Sequence, residues 1–303
     1  MSGPELRPLG VGEIIDGAIK LVTSNARVLF TISAVVFVPL GILQLLAYVT
    51  IGGSDMLSLI EALSVESTLD EEQLDQLLEA MFRLLSVGLA LAVIAGIGSV
   101  LVQGATVKTA ADVYQGHEPD WKQSIQFGFR RFFAILGAVL IVWVLSSIGL
   151  IFYIVPGVWL FVMWSVTVPA LVVEHLGPIA AVQRSFRLVR GRFWPAFGVV
   201  LLSVLVYGTV SYLFSLAGSA FTLFAETGDL GVPIAASVIS STLSSIIVQP
   251  FIAAVLIVLY FDLRVRAEGY DLQVMAAELS EDTPPPPPAI APDDPFGLGP
   301  PGT

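Results

Sequence analysis

The chain reads as an all-α polytopic integral membrane protein: six transmembrane helices with cytoplasmic interfacial amphipathic helices. Three observations predict this. Of its 303 residues 55% are hydrophobic and 13% charged, with a mean hydropathy of +0.86, whereas soluble chains carry about 25% charged residues. Five stretches hold no Asp, Glu, Lys or Arg: Val28–Thr50, Leu84–Val107, Phe132–Val173, Trp194–Ala225 and Leu230–Phe261. A helix needs about 20 apolar residues to cross a bilayer, so the third stretch, 42 residues long, supplies two crossings and each of the others one. Finally, six crossings with the N-terminus in the cytoplasm put thirteen of the fourteen basic residues on one side and leave only Arg83 outside. Lys and Arg near span ends set orientation in this way, and five or seven spans would break the alternation.

The elements follow in order. Residues 1–27 form a cytoplasmic segment in which Val11, Ile14, Ile15, Ala18, Ile19 and Val22 recur at helical spacing on one face. Its acids Glu5, Glu13 and Asp16 argue against a cleaved secretory leader. The six-span membrane domain runs over 28–266. Its external loop, about 52–83, is acidic: Asp55–Arg83 holds eight acids and one base. Thr68–Glu71 fits a capping box there, and Leu74, Leu77, Leu78, Met81 and Leu85 form a stripe that can run on into span two and suits a helical cap on the outer face of the bundle. In span two Gly88, Ala92 and Gly96 make a small-residue seam along which another helix can approach.

The long third stretch predicts a hairpin of Phe132–Phe152 and Val158–Val173, with Pro156-Gly157 as its turn signal. Ala217–Leu230 reads as an external connection, Pro233 as the first residue of the last span and Pro250 as a kink within it. From 267 a cytoplasmic tail follows, with seven acids and no base after Arg266; from about 280 its five consecutive prolines and scattered acids predict disorder or polyproline II. The net charge of −11 is therefore confined to this tail and the acidic loop, and the remainder is mildly basic.

A unit of basic amphipathic segment, span and span recurs three times. The segments end at Arg27, at Arg131 and at Arg192, and Lys20 coincides with Arg187 when IIDGAIKLV is laid on AVQRSFRLV. The exits after spans two, four and six read VYQGHEP, VVEHLGP and RVRAEGYD. Such a repeat occurs in transporters and also in proteins that move nothing.

Little points to catalysis. The chain has no cysteine and two histidines, His117 and His175, so thiolate chemistry is excluded and a zinc site, which needs three or four good ligands, is poorly supplied. No nucleophile elbow, phosphate loop or catalytic pair of carboxylates is present. No span carries an ionisable residue near its middle, which counts against a proton-coupled pump. We therefore expect no catalytic residue, no cofactor and no metal. Two groups remain as candidate sites. Arg184, Arg187, Arg190 and Arg192 lie on a helix with an apolar side at Val182, Phe186 and Val189, an arrangement suited to contacting anionic lipid. Ser237, Ser241, Ser245 and Gln249 form an intramembrane polar stripe, with Ser240 and Ser244 beside it and Gln44 and Gln103 in other spans; it serves either as interhelical hydrogen bonding or as the lining of a hydrated pocket.

RPLGVGEIIDGAIKL at Arg7–Leu21, SFRLVRGRFWPAFG at Ser185–Gly198 and LYFDLRVRAEGYDL at Leu259–Leu272 resemble an uncharacterised family of six-span membrane proteins of actinobacteria, similar to the membrane domain of glycerophosphoryl diester phosphodiesterases. Eleven arginines against three lysines suit a GC-rich genome. In those phosphodiesterases the resemblance implies a separate catalytic barrel of about 250 residues; no such domain is expected after span six here, and no catalytic residue carries over. The expected function is that of a non-enzymatic accessory or regulatory component of the plasma membrane. Its partners would be membrane lipids or a protein reached through the bundle or tail, with no nucleic acid. The alternative is a transporter or channel for a small or lipid-like solute.

Overall fold

The computed structural model describes residues 9–48, 71–224 and 231–268. Among them the regular structure is helical throughout: α1 (Val11–Ser24), α2 (Ala26–Ala47), α3 (Glu71–Tyr114), α4 (Trp121–Phe152), α5 (Ile154–Met163), α6 (Thr167–Val173), α7 (Pro178–Arg190), α8 (Phe193–Phe224) and α9 (Gly231–Glu268). Six spans are long and apolar enough to cross a membrane: α2, α3, α4, α5 with α6, α8 and α9. The chain is an all-α, multi-pass membrane protein. The capping box at Thr68, most of the acidic loop and the proline-rich tail lie outside the described residues.

Span six, α9, is the hub. In its most apolar window 67% of the residues are buried, against 17–22% in spans one, two, three and five. It packs on α1, α2, α3, α6, α7 and α8, and Val255, Ile257, Val258, Leu259, Tyr260 and Phe261 are sealed inside. The other spans keep large apolar side chains such as Leu89, Trp143 and Leu205 on the outside, the surface that hydrocarbon solvates and water would not.

The basic residues mark one end of this bundle, and two amphipathic helices close it. In α1 the Glu13 carboxylate accepts a 2.7 Å hydrogen bond from Gly10 N–H, which starts the helix. Asn25 stops it, its side-chain amide donating to the Leu21 carbonyl at 3.1 Å. The buried face is Ile14, Ala18, Leu21 and Val22; Ile19, expected on that face, is 46% exposed. The apolar face of α1 thus packs against protein, on α8 and α9. The helix α7 behaves likewise, with Ser185 fully buried and donating to the Met163 carbonyl at 2.9 Å.

The middle copy differs from the expected third interfacial helix. Trp121–Arg131 runs without a break into span three as α4, its first turn capped by the Asp120 carboxylate on Lys122 N–H at 2.9 Å. The reason is local: Asn25 and Gly191 interrupt the other two copies, whereas Arg130-Arg131-Phe132 contains no helix breaker.

Three further expectations are corrected. Pro156-Gly157 is not the hairpin turn, because Tyr153 alone, in extended backbone, connects α4 to α5, and Pro156 occupies the first turn of α5, where its missing N–H costs nothing. Gly157 instead permits close approach: a Cβ there would lie 2.5 Å from Leu150 N. Among the described residues the seam Gly88, Ala92, Gly96 holds no neighbouring helix, since a Cβ at Gly88 or Gly96 would meet none of them within 4 Å. The close contacts of α3 fall at Gly98, against Leu40, and at Gly104, against Ile135. Finally, the described part of the acidic loop, from Glu71, does run on into span two as part of α3, but Leu74, Leu78, Met81 and Leu85 are exposed there and do not pack as a cap on the described part of the bundle.

Candidate functional site

Polar side chains collect at the basic end, where spans two, four and six leave the membrane domain. The first two exits share a backbone device: Gly116 (φ 81°) after α3 and His175 (φ 53°) after α6 are both left-handed and both precede a proline by three residues. A left-handed residue just past a helix end satisfies its last carbonyls and turns the chain. The likeness of these two exits in the sequence is therefore a likeness of helix termination.

The residue before His175 is Glu174, which sits at the centre of an ion-pair network. Arg184 Nε donates to both Glu174 carboxylate oxygens at 2.8 and 2.9 Å, and Arg184 Nη1 lies 2.5 Å from Glu268 Oε1. Tyr260 OH donates to Glu174 Oε1 at 2.6 Å. Arg264 Nε reaches Glu268 at 3.2 Å, and its guanidinium lies 5.8 Å from the Tyr260 ring centroid. These contacts tie α6, α7 and α9 together. The Arg184 pKa is pushed above its ordinary range, first by the hydrogen bond to Glu268 and further by Glu174, against an opposing effect of burial. A second clamp lies beside it: buried Asp262 accepts from Leu9 N–H at 2.7 Å and from Arg266 Nε at 2.9 Å, while Arg266 Nη2 donates to the Leu9 carbonyl at 2.6 Å. The N-terminal entry to α1 is thus held by the last turns of span six.

On the other side of His175 lies an open cavity of about 670 Å³. Lys108, Arg130, Arg131 and His175 line it, and Asp112, paired with Lys108, is its one acid. Arg130 and Arg131 make no ion pair among the described residues. Gln123, Gln126 and Ser124 add neutral hydrogen-bonding groups, and Phe127 forms an apolar wall, its ring centroid 6.0 Å from Lys108 Nζ. The wall positions come from antiparallel packing of α3 on α4, held by a buried 2.8 Å hydrogen bond from Thr109 Oγ1 to Ser124 Oγ. Excess positive charge beside an apolar wall suits a phosphate carried on a hydrocarbon body. No group of three or more His, Asp or Glu among the described residues is placed to hold a metal.

The four arginines selected from the sequence separate. Arg184 turns inward, its side chain 15% exposed, and is taken up by Glu174 and Glu268. Arg187, Arg190 and Arg192 remain exposed. The charge pattern along α7 contains no signal for this division, because the partner acids lie outside that helix.

The serine stripe also divides. Ser237, Ser241 and Ser245 donate to carbonyls of their own helix, at Ile234, Val238 and Ser241. The interhelical bond is made by a neighbour, Ser244 Oγ, 3.0 Å from Ser211 Oγ of α8. The three hydroxyls line a cavity of about 320 Å³ between α8 and α9, opposite Ser211, Ser215, Ser219 and Tyr207. Gln249 is not part of that lining.

No protein-family model, no curated protein and no solved structure matches the chain.

Proposed function

We propose that the chain is a non-enzymatic accessory or regulatory protein of the plasma membrane, with both termini cytoplasmic, that engages anionic phospholipid at its basic end. The cationic cavity of Lys108, Arg130, Arg131 and His175 supports this reading. Each basic residue near an anionic leaflet contributes about 1 kcal/mol, and the exposed Arg187, Arg190 and Arg192 extend the same field. The resemblance to the actinobacterial six-span proteins agrees with a membrane domain that works beside a lipid enzyme without being one. The test is lipid retention by the protein in nanodiscs of mixed phosphatidylglycerol and phosphatidylcholine. Arg130→Gln with Arg131→Gln should lower retained phosphatidylglycerol about ten-fold, more at low salt than at high. Unchanged retention in a correctly inserted variant would reduce these arginines to orientation signals.

One observation favours the alternative, passage of a small or lipid-like solute. The serine-lined cavity reaches Tyr207 on α8 and Ser245 on α9, and a second cavity begins at Val204 and Ile252 on the same two helices. The two follow one another along one helix pair.

A further inference from the structure

The cavity of about 320 Å³ between α8 and α9 runs from Thr222 and Pro233, near the end of the bundle opposite the basic one, down to Tyr207 and Ser245. At the helical rise per residue, the stretch from Pro233 to Ser245 is about 18 Å long. One water needs only about 10–15 Å³, so there is room for a molecule of several heavy atoms. Of the twelve lining residues ten carry a hydroxyl and none a charge.

Most of these hydroxyls have already placed their protons. Ser237, Ser241 and Ser245 donate to carbonyls of α9. On α8, Ser219 Oγ donates to the Ser215 carbonyl at 3.0 Å and Thr222 Oγ1 to the Ser219 carbonyl at 2.7 Å. Each of these oxygens keeps lone pairs for an occupant. The hydroxyls step by one helical turn, at Ser237, Ser241 and Ser245 on one wall and at Ser211, Ser215 and Ser219 on the other, about 6 Å per step. Two such ladders match a molecule whose hydrogen-bond donors repeat along its length.

Ser240 supplies an independent sign of an occupant. It lines the cavity, is only 9% exposed, and its hydroxyl makes no hydrogen bond among the described residues. The hydroxyls of Ser33, Ser146 and Ser165 also lack partners but are sealed off. Ser240 Oγ is not among the sealed atoms, so the contents of the cavity can reach it. Gly218 keeps the facing wall clear, since a Cβ there would lie 2.5 Å from Ser240 Oγ. A hydroxyl without a partner in this setting is costly, and a ligand in the cavity relieves that cost.

The lining also decides the ligand's charge. It holds no acid or base to balance an ion, and an unpaired buried charge costs far more than a buried hydroxyl. An amide or urea carries its donors at one end and serves neither ladder along its length. We propose that this cavity binds an uncharged polyol, either free or as the sugar headgroup of a glycolipid, with Ser240 Oγ hydrogen-bonded to it. The site goes beyond the anionic-lipid reading, and it requires binding only, not passage across the membrane.

The test is binding of tritiated xylitol to the full chain in phosphatidylcholine nanodiscs by scintillation proximity, with the signal of empty nanodiscs subtracted. Binding should saturate, and phosphate or choline at the same concentration should not displace it. Ser240→Ala should weaken it about five-fold, as for loss of one hydrogen bond. The thermal midpoint of that variant without xylitol should equal that of the wild type, because no bond within the protein is lost. Ser241→Leu, at an exposed position that tolerates bulk, should abolish binding by filling the cavity. Displacement of xylitol by glucosyl-diacylglycerol added to the nanodisc assigns the polyol to a lipid headgroup, and no displacement assigns it to a free solute. Arg130→Gln with Arg131→Gln should leave xylitol binding unchanged, so failure here and failure of the anionic-lipid reading are separate results. Absence of saturable binding overturns the site and leaves the cavity to water. Displacement by phosphate or choline, or wild-type binding by Ser240→Ala, overturns the proposed recognition.

Discussion

Arg184 Nη1 and Glu268 Oε1 stand 2.5 Å apart, joining the helix that leads into span five to the last turn of span six. The same guanidinium holds Glu174 at the exit of span four, so one side chain fastens three helices where they leave the membrane domain.

Arg184→Gln should therefore loosen the basic end as a whole. The pairs are partly exposed, so the loss is discounted for solvent screening to about 1–2 kcal/mol, read as a lower thermal midpoint of the purified protein. The pH dependence has a definite sign. Arg184 has a folded pKa raised above its ordinary, already strongly basic value, chiefly by its hydrogen bond to Glu268, so its contribution is fully present below the ordinary value and is lost only as pH rises through the higher folded pKa. The difference between wild type and Arg184→Gln should consequently be the same at pH 7 and pH 10. A difference that vanished by pH 10 would show that the guanidinium is not the group responsible.

Gly157→Ala should be among the most damaging single-methyl changes in the chain. The added Cβ would meet Leu150 N at 2.5 Å and Leu150 Cα at 2.7 Å, both backbone atoms that cannot swing aside. Parting α4 from α5 to admit it should cost about 1–3 kcal/mol. Gly88→Ala, where nothing lies within 4 Å, serves as the control and should be neutral or slightly stabilising. Comparable losses at both positions would contradict the hairpin geometry.

Topology is checked by reporter fusions. A reporter placed after residue 270 should behave as cytoplasmic, and one between Ser64 and Asp70 as external. Both on the same side would refute the six-span orientation.

The six spans were legible because a bilayer removes charge from whatever crosses it, so charge-free runs trace the crossings directly. The amphipathic helices α1 and α7 were legible for a similar reason, their apolar residues recurring at helical spacing. What escaped reading depends on contacts between distant segments. The inward turn of Arg184 needs Glu268, 84 residues away. The cationic cavity combines Lys108, Arg130, Arg131 and His175 from two helices and an exit turn. The break in span four did have a local signal in Pro169, but a proline inside a long apolar run reads equally as a kink. Gly157, read with Pro156 as a turn signal, is instead a packing contact against Gly149 and Leu150.

The serine stripe separates a blind pocket from a route. Ser237, Ser241 and Ser245 line the α8–α9 cavity, whereas Gln249, one turn further along α9, does not. The chain has no native cysteine, so introduced thiols report without background. If the cavity is a pocket open at one end only, a membrane-impermeant thiol reagent should modify Ser237→Cys and Ser241→Cys readily. Ser245→Cys should react more slowly and Gln249→Cys about ten-fold slower still, as water access falls with depth in an apolar interior. The reagent should reach these positions from the side opposite Arg264 and Arg266. Labelling of Gln249→Cys as fast as Ser237→Cys, from either side, would instead mean that water runs the length of the stripe. It would move the weight of evidence from an accessory protein to a conducting one.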